Sequence, residues 1–101
     1  MVTPEQKKRL LVSAANLRRA RQMLPDAVAE GELARFNTHL QHDELELAMD
    51  ELVAVGESHG CRGGFWRNME RAAESMDLLG RANMYRVQFN LALPENTGDA
   101  G

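Results

Sequence analysis

Apolar side chains recur every three or four positions over most of the chain, which is the spacing of one face of an α-helix. Residues that interrupt helices divide this pattern into segments: Pro25, Gly31, Gly60, Gly63, Gly64, Gly80 and Pro94. Segments of this length, joined by short connections, are typical of helices that pack antiparallel. The pattern therefore predicts an all-α fold, a small antiparallel helical bundle of four to five helices.

The first helix is predicted from about Pro4 to Met23 or Leu24. The hydroxyl of Thr3 can cap it, and the side chain of Gln6 can bond back to the capping residue. Pro25 favours an end at this point, because the residue before a proline avoids the helical conformation. The apolar side of this helix is made by Leu10, Leu11, Ala14, Leu17, Met23 and Leu24.

The second helix is predicted from Asp26, which can cap it, to about His39 or Leu40. Gly31 weakens its first turns by up to about 1 kcal/mol. Asp43 and Glu46 form another capping-box pair in front of a third helix that ends near Ser58. The apolar side of the third helix is expected to contain Leu45, Ala48, Met49, Leu52, Val53 and Gly56.

The fourth helix is predicted to begin near Gly64 or Phe65 and to end at Gly80, a C-terminal signal. Its inner face is expected to contain Phe65, Trp66, Met69, Ala72, Ala73, Met76 and Leu79. The segment from Met84 to Leu93 alternates like a strand but also fits a helix. A lone strand would leave its backbone groups unpaired, so a short fifth helix is favoured.

The chain of 101 residues is expected to form one helical domain over residues 1–93, followed by a disordered tail over 94–101. Cys61 is the single cysteine, which excludes an internal disulfide and fits a reducing compartment. No apolar run approaches the ~20 residues of a membrane span, and the N-terminus lacks the features of a signal peptide. These features predict a cytoplasmic protein without a membrane partner.

Charge is distributed unevenly along the chain. Residues 1–25 carry a net charge of +5 and residues 26–60 a net charge of −8, while residues 61–101 are neutral. The outer side of the third helix is expected to present Asp43, Glu46, Asp50 and Glu57, flanked by Glu44 and Glu51. Two interpretations remain open. Either bases of the first or fourth helix (Arg18, Arg21, Arg67, Arg71) neutralise these acids, or the acids form a docking surface for a basic partner.

The sequence gives little indication of a catalytic or cofactor-binding site. His39, His42 and His59 match no metal-binding spacing, so no metal or other cofactor is expected. Cys61 and His59 are two residues apart in a loop, and the carboxylates of the third helix are expected to be exposed, so no enzyme activity is predicted. The basic start of the first helix leaves nucleic-acid binding as an alternative, although the isoelectric point near 5.6 argues against it.

Three stretches carry a resemblance to a known group of proteins: His42–Leu52, Gly64–Trp66 and Ala72–Leu78. A His-Asp-Glu turn opening an acidic helix, a Phe-Trp pair after a glycine-containing loop and an Ala-Ala-x-x-Met helix resemble small bacterial immunity proteins. The resemblance is to the MafI and contact-dependent growth inhibition (CDI) type, and it covers about residues 39–86. Gly31 and the segment from Met84 onward depart from it.

The resemblance implies a cytoplasmic antitoxin without catalysis of its own, which binds the C-terminal domain of a polymorphic toxin, commonly a nuclease. It would act as a monomer or in a 1:1 complex with the toxin, without binding nucleic acid or membranes. It implies a core of Leu45, Ala48, Leu52, Phe65, Trp66 and Met76. It implies toxin contacts at Glu44, Glu46, Asp50, Glu51 and Glu57, and at Asp43, which would also serve in part as a helix cap.

Overall fold

The computed structural model describes residues 3–61 and 63–92, and over these ranges it contains five α-helices and no strand. The helices are α1 (Pro4–Gln22), α2 (Ala34–Gln41), α3 (Leu45–His59), α4 (Gly63–Ser75) and α5 (Leu79–Ala92). The predicted all-α helical bundle is confirmed. The domain limit at residue 93 and the tail over 94–101 lie outside the described residues. None of the helices in the described ranges is both long and apolar enough to cross a bilayer.

Helix α1 begins at the predicted capping box. The backbone N–H of Gln6 donates to Oγ1 of Thr3 over 3.1 Å, and the N–H of Thr3 donates to Oε1 of Gln6 over 3.0 Å. The helix ends at Gln22, three residues before Pro25, as the proline requires. The capping contact and the proline therefore account for both ends of α1.

The prediction of an α-helix that starts at Asp26 is wrong for the first half of this segment. Asp26 lies exposed in an irregular segment, and a 3₁₀ turn (Glu30–Leu33) precedes α2, which begins only at Ala34. The carboxylate of Glu32 accepts a hydrogen bond from the N–H of Ala29 over 3.1 Å and so closes the tight turn. Gly31 lies inside this turn, where its low helix propensity opposes a regular α-helix.

The connections that follow α2, α3 and α4 each contain a residue in the left-handed conformation. These residues are Asp43 (φ 57°), Gly60 (φ 66°) and Asp77 (φ 61°). After Asp43, the N–H of Glu44 donates back to the carbonyl of His39 over 2.9 Å, which is the hydrogen bond of a Schellman motif. After Asp77, the N–H of Leu78 donates in the same way to the carbonyl of Ala73, also over 2.9 Å.

These turns correct two predicted helix ends. Asp43 terminates α2 and does not cap α3, which begins at Leu45 without a side-chain cap. Gly80 does not end α4, because Asp77 has already done so, and Gly80 lies in the first turn of α5. Leu79, expected on the inner face of α4, therefore belongs to α5 and is 61% exposed.

Helix α4 lies at the centre of the bundle, packed against α1 on one side and α5 on the other, while α2 packs against α3. The Phe65 ring of α4 lies directly against the backbone of α3 at Gly56, because Gly56 has no side chain in that space. Trp66 meets the Phe65 ring edge to face, with centroids 4.9 Å apart, and reaches Tyr85 of α5 at 5.9 Å. The resemblance-based core is confirmed at Leu45, Ala48, Leu52, Phe65 and Trp66, whereas Met76 is only half-buried.

Helices α4 and α5 are also joined by charged groups. Glu70 is 4% exposed, and its Oε2 accepts a hydrogen bond from Nε of Arg86 over 2.8 Å. Its other oxygen has no hydrogen-bond partner within the described residues and lies 3.7 Å from a guanidinium nitrogen of Arg67. The Arg67 guanidinium stacks over the Phe89 ring at 4.3 Å. The two arginines together offset the buried negative charge of Glu70.

Replacing Gly56 by Ala is expected to lower the free energy of unfolding by about 1–3 kcal/mol, because the added methyl group would overlap the Phe65 ring in a filled core. Gly80→Ala is the matched control, since nothing lies within 4 Å of a methyl group there. It should raise stability by up to about 1 kcal/mol through helix propensity. Urea unfolding of both variants measures the difference, and equal stabilities would contradict the close contact.

Candidate functional site

The six acids proposed as a partner-binding surface do not all lie on one side of α3. At about 100° per residue, Glu46, Asp50 and Glu57 fall on one side of α3. We call these three residues the acidic stripe. Glu51 lies about 120° around the helix from the middle of the stripe and lines a cleft beside α2 with Arg35, Thr38 and His39. Asp43 and Glu44 precede the helix, so the structure does not gather all six acids on one surface.

Arg81 of α5 meets the acidic stripe. Its guanidinium donates to Oε2 of Glu46 over 3.0 Å and also to a carboxylate oxygen of Asp50. The base that neutralises acids of α3 thus comes from α5 and not from α1 or α4. Arg21 instead pairs with Glu30 at 3.2 Å, and Arg67 pairs with Glu70. Arg81 therefore neutralises the acidic stripe only in part, because its one guanidinium bonds to two of the three carboxylates.

The charged groups around Arg81 shift its pKa and the pKa of the neighbouring Tyr85. The hydrogen bond to Asp50 raises the pKa of Arg81 above its ordinary value, so the guanidinium stays charged. Burial raises the pKa of the Tyr85 hydroxyl. The Arg81 guanidinium acts to lower this pKa, whereas the carboxylates of Asp50 and Glu57 raise it further. Tyr85 follows Arg81 by one helical turn and therefore lies against the same side of α3. This arrangement places both groups beside the acidic stripe.

The acidic stripe remains anionic despite Arg81. Three carboxylates and one guanidinium leave a net charge of −2. Glu57 is exposed and forms no ion pair with any described residue, while Glu46 and Asp50 keep about half of their side-chain surface open to solvent. An exposed leucine, Leu47, lies beside them on the outer side of α3. The stripe thus offers carboxylates and apolar surface together.

The two acids before α3 have other surroundings. Glu44 accepts a hydrogen bond from Nδ1 of His39 over 2.8 Å, which holds its carboxylate against α2. Asp43 lines a cleft of about 480 Å³ between α1, the turn before α3 and the α4–α5 turn. The same cleft is lined by Arg9, by Glu46 of the acidic stripe and by the apolar side chains of Leu10, Leu45, Met76 and Leu78. Sequence reasoning missed it because its walls come from distant parts of the chain.

A pair of serine hydroxyls lies at the wall of this cleft. Ser13 Oγ is 2.5 Å from Ser75 Oγ, and Ser75 in turn donates to the carbonyl of Ala72 over 2.8 Å. Each hydroxyl therefore finds its partner in another hydroxyl or in the backbone, and neither is hydrogen-bonded to a histidine or carboxylate that could act as a base. The pair joins α1 to α4 rather than forming an activated nucleophile.

The thiol of Cys61 and the imidazole of His59 likewise have structural surroundings. Cys61 is buried, and burial raises the pKa of its thiol, which opposes formation of a reactive thiolate. Nε2 of His59 lies 2.9 Å from the Glu32 carboxylate, a hydrogen bond that lowers the pKa of Glu32 and ties α3 to the 3₁₀ turn. Among the described residues, no three His, Cys, Asp or Glu side chains come together as a candidate metal site.

Helix α1 presents a second charged surface. Lys7, Lys8, Arg9, Arg18 and Arg19 are all exposed, and none forms an ion pair with a described residue. Leu11 and Val12 lie exposed among them. The chain therefore carries a basic surface on α1 and an acidic stripe on α3, each made of residues close in sequence.

Comparison with known proteins identifies no relative: no protein-family model, curated protein or solved structure matches the chain. The resemblance to MafI and CDI immunity proteins therefore rests on the residues quoted above.

A double-mutant cycle measures the link between α5 and α3. Arg81→Gln and Asp50→Asn are expected to couple by roughly 0.5–1 kcal/mol in the free energy of unfolding, because both groups are partly exposed and screened. The coupling should shrink as salt is added. Arg71→Gln combined with Asp50→Asn is the matched pair, since Arg71 is exposed on α4. Equal coupling in the two cycles would show that Arg81 makes no specific contribution.

Proposed function

We propose that the protein is an immunity protein that binds the basic C-terminal domain of a polymorphic or contact-dependent growth inhibition toxin and acts without catalysis. The observation that carries this proposal is the acidic stripe, which keeps a net charge of −2 after Arg81 is counted. A nuclease domain needs a basic cleft for the phosphate backbone of its substrate. Carboxylates docked in or beside such a cleft would exclude substrate by competing for the same bases.

Arg81 has a defined role in this proposal. By bonding to Glu46 and Asp50, it holds two carboxylates in fixed positions before a partner arrives. Ordering of side chains in advance lowers the entropic cost of association. Glu57, which has no such partner among the described residues, supplies uncompensated charge that steers a basic protein toward the stripe. The proposed surface therefore separates into a positioned part and a steering part.

The single reversal Glu57→Lys is expected to slow association with a cognate toxin domain by about threefold to tenfold at low salt, because electrostatic steering is lost. Asp26→Lys is the matched control, with the same charge change at an exposed site in the segment between α1 and the 3₁₀ turn. Stopped-flow or surface-based kinetics with the cognate toxin domain provides the measurement. If both variants slow association equally, net charge alone is responsible and the acidic stripe is not the contact.

Reversal at Glu46 and Asp50 would be a weaker test of the same idea. Lysines at both positions would face the Arg81 guanidinium and disturb the α3–α5 contact as well as the proposed interface. A loss of toxin binding would then have two explanations. Glu57 avoids this ambiguity because it forms no ion pair with a described residue.

A second candidate function follows from the five exposed bases of α1, which favour binding of nucleic acid as an alternative. Binding to mixed-sequence duplex DNA should then weaken steeply with salt. Lys7→Gln combined with Lys8→Gln should make the slope of log affinity against log salt less negative by about 2 if both lysines contact phosphates. Fluorescence anisotropy with a labelled duplex measures the slope. An unchanged slope, or no binding at low salt, would exclude this use of α1.

A further inference from the structure

The cleft of about 480 Å³ between α1, the turn before α3 and the α4–α5 turn has an apolar floor, and we call it the α1 cleft. The floor is made by Leu10, Leu45, Met76 and Leu78. Leu45 is buried, whereas the other three pack against the core and are half-buried. Met76, which the resemblance placed in the core, keeps exposed surface because it lines this cleft. The volume lies in the range of sites that bind small molecules.

The α1 cleft holds one unpaired charge of each sign. Arg9 of α1 and Asp43 of the turn before α3 both line it and are both exposed. Neither forms an ion pair with the other or with any described residue. The third charged group of the cleft, Glu46, is already bonded to Arg81. A ligand that carries both a negative and a positive charge would therefore be complementary to the cleft.

The neutral polar groups of the α1 cleft divide in the same way. The side-chain oxygen of Gln6 caps α1, which leaves its amide NH₂ group free to donate, one turn before Arg9. Ser75 donates its proton to the carbonyl of Ala72, so Ser13 is the donor within the serine pair. Both hydroxyl protons are thus used, and the two serine oxygens can offer a ligand only their lone pairs. The cleft therefore contains donors for a carboxylate and acceptors for an ammonium group.

We propose that the α1 cleft binds a free α-amino acid with an apolar side chain, of the size of leucine. The carboxylate pairs with Arg9 and Gln6, the ammonium group pairs with Asp43, and the apolar side chain lies on the floor. A nucleotide would bring its phosphates to the carboxylates of Asp43 and Glu46. A leucine within a polypeptide has neither charge on its backbone, so it would leave both Arg9 and Asp43 unpaired.

The test is a titration of the isotope-labelled full chain followed by two-dimensional NMR. L-Leucine should shift the amide resonances of residues that line the α1 cleft, with a Kd on the order of 1 mM because its polar contacts are exposed. Isoamylamine, which lacks the carboxylate, and isocaproate, which lacks the ammonium group, should each bind about twofold to fivefold more weakly. L-Alanine should bind about tenfold more weakly, since it lacks most of the apolar side chain.

Substitutions assign the two charges of the ligand. Arg9→Gln should lower the affinity for L-leucine by about twofold to fivefold without weakening isoamylamine. Asp43→Asn should have the same effect on L-leucine without weakening isocaproate, and asparagine tolerates the left-handed conformation at this position. Arg18→Gln and Asp26→Asn are the matched controls, since both residues are exposed and lie outside the cleft. Both controls should bind L-leucine as the parent chain does.

Three results would overturn the proposal. The first is that L-leucine, well above the expected Kd, shifts no resonance of the α1 cleft. The second is that L-leucine, isoamylamine, isocaproate and the uncharged N-acetyl-leucine amide bind equally, which would show an apolar cleft without selection for charge. The third is that the controls weaken binding as much as Arg9→Gln and Asp43→Asn do. The probes involve no toxin domain, so the outcome is independent of the proposed immunity function.

Discussion

The contact between the Phe65 ring of α4 and the backbone of α3 at Gly56 is the constraint to which a row of neighbouring contacts can be traced. Because Gly56 has no side chain, the Phe65 ring lies directly against α3, and Trp66 is then fixed against the edge of that ring. Trp66 in turn packs against Tyr85 and sets the position of α5. Arg81, one turn before Tyr85, is thereby brought to the carboxylates of α3. This row of core contacts links Gly56 to the position from which Arg81 reaches the carboxylates of α3.

The electrostatics of the acidic stripe follow from this chain of contacts. Glu46 and Asp50 stabilise the fold through Arg81, and the same two carboxylates stand on the proposed binding surface. Their effect on stability is modest because the groups are partly exposed. In the proposed complex Glu46 and Asp50 would contribute to both stability and recognition, whereas Glu57 would contribute to recognition alone. A substitution at Glu57 therefore separates the two contributions experimentally.

Local signals in the sequence were sufficient for α1, whose capping box and terminal proline lie within three residues of its ends. They were insufficient at Asp43 and Asp77, because aspartate is favourable both at a helix N-cap and in the left-handed turn that ends a helix. The sequence around Asp43 fits either role. The choice is made by the preceding helix α2, whose carbonyl at His39 accepts the closing hydrogen bond.

Two other features could not be read from the sequence. Arg81 is 31 and 35 residues away from the carboxylates it bonds, and no local pattern connects them. In α5 the helical spacing of Met84, Val87 and Leu91 correctly indicated a helix, yet these residues face outward while Ala82 and Tyr85 face the core. Periodicity shows that a helix has an apolar side. When there are two, only the packing of α4 decides which is buried.

The surfaces of the chain are chemically distinct, and their placement keeps them from competing. Helices α1 and α5 pack on different sides of α4, and the acidic stripe lies on α3 beside Arg81 of α5. A basic partner bound at the acidic stripe would therefore leave the basic surface of α1 open to solvent. The two candidate functions thus use separate surfaces, and a substitution in one surface is not expected to change binding at the other.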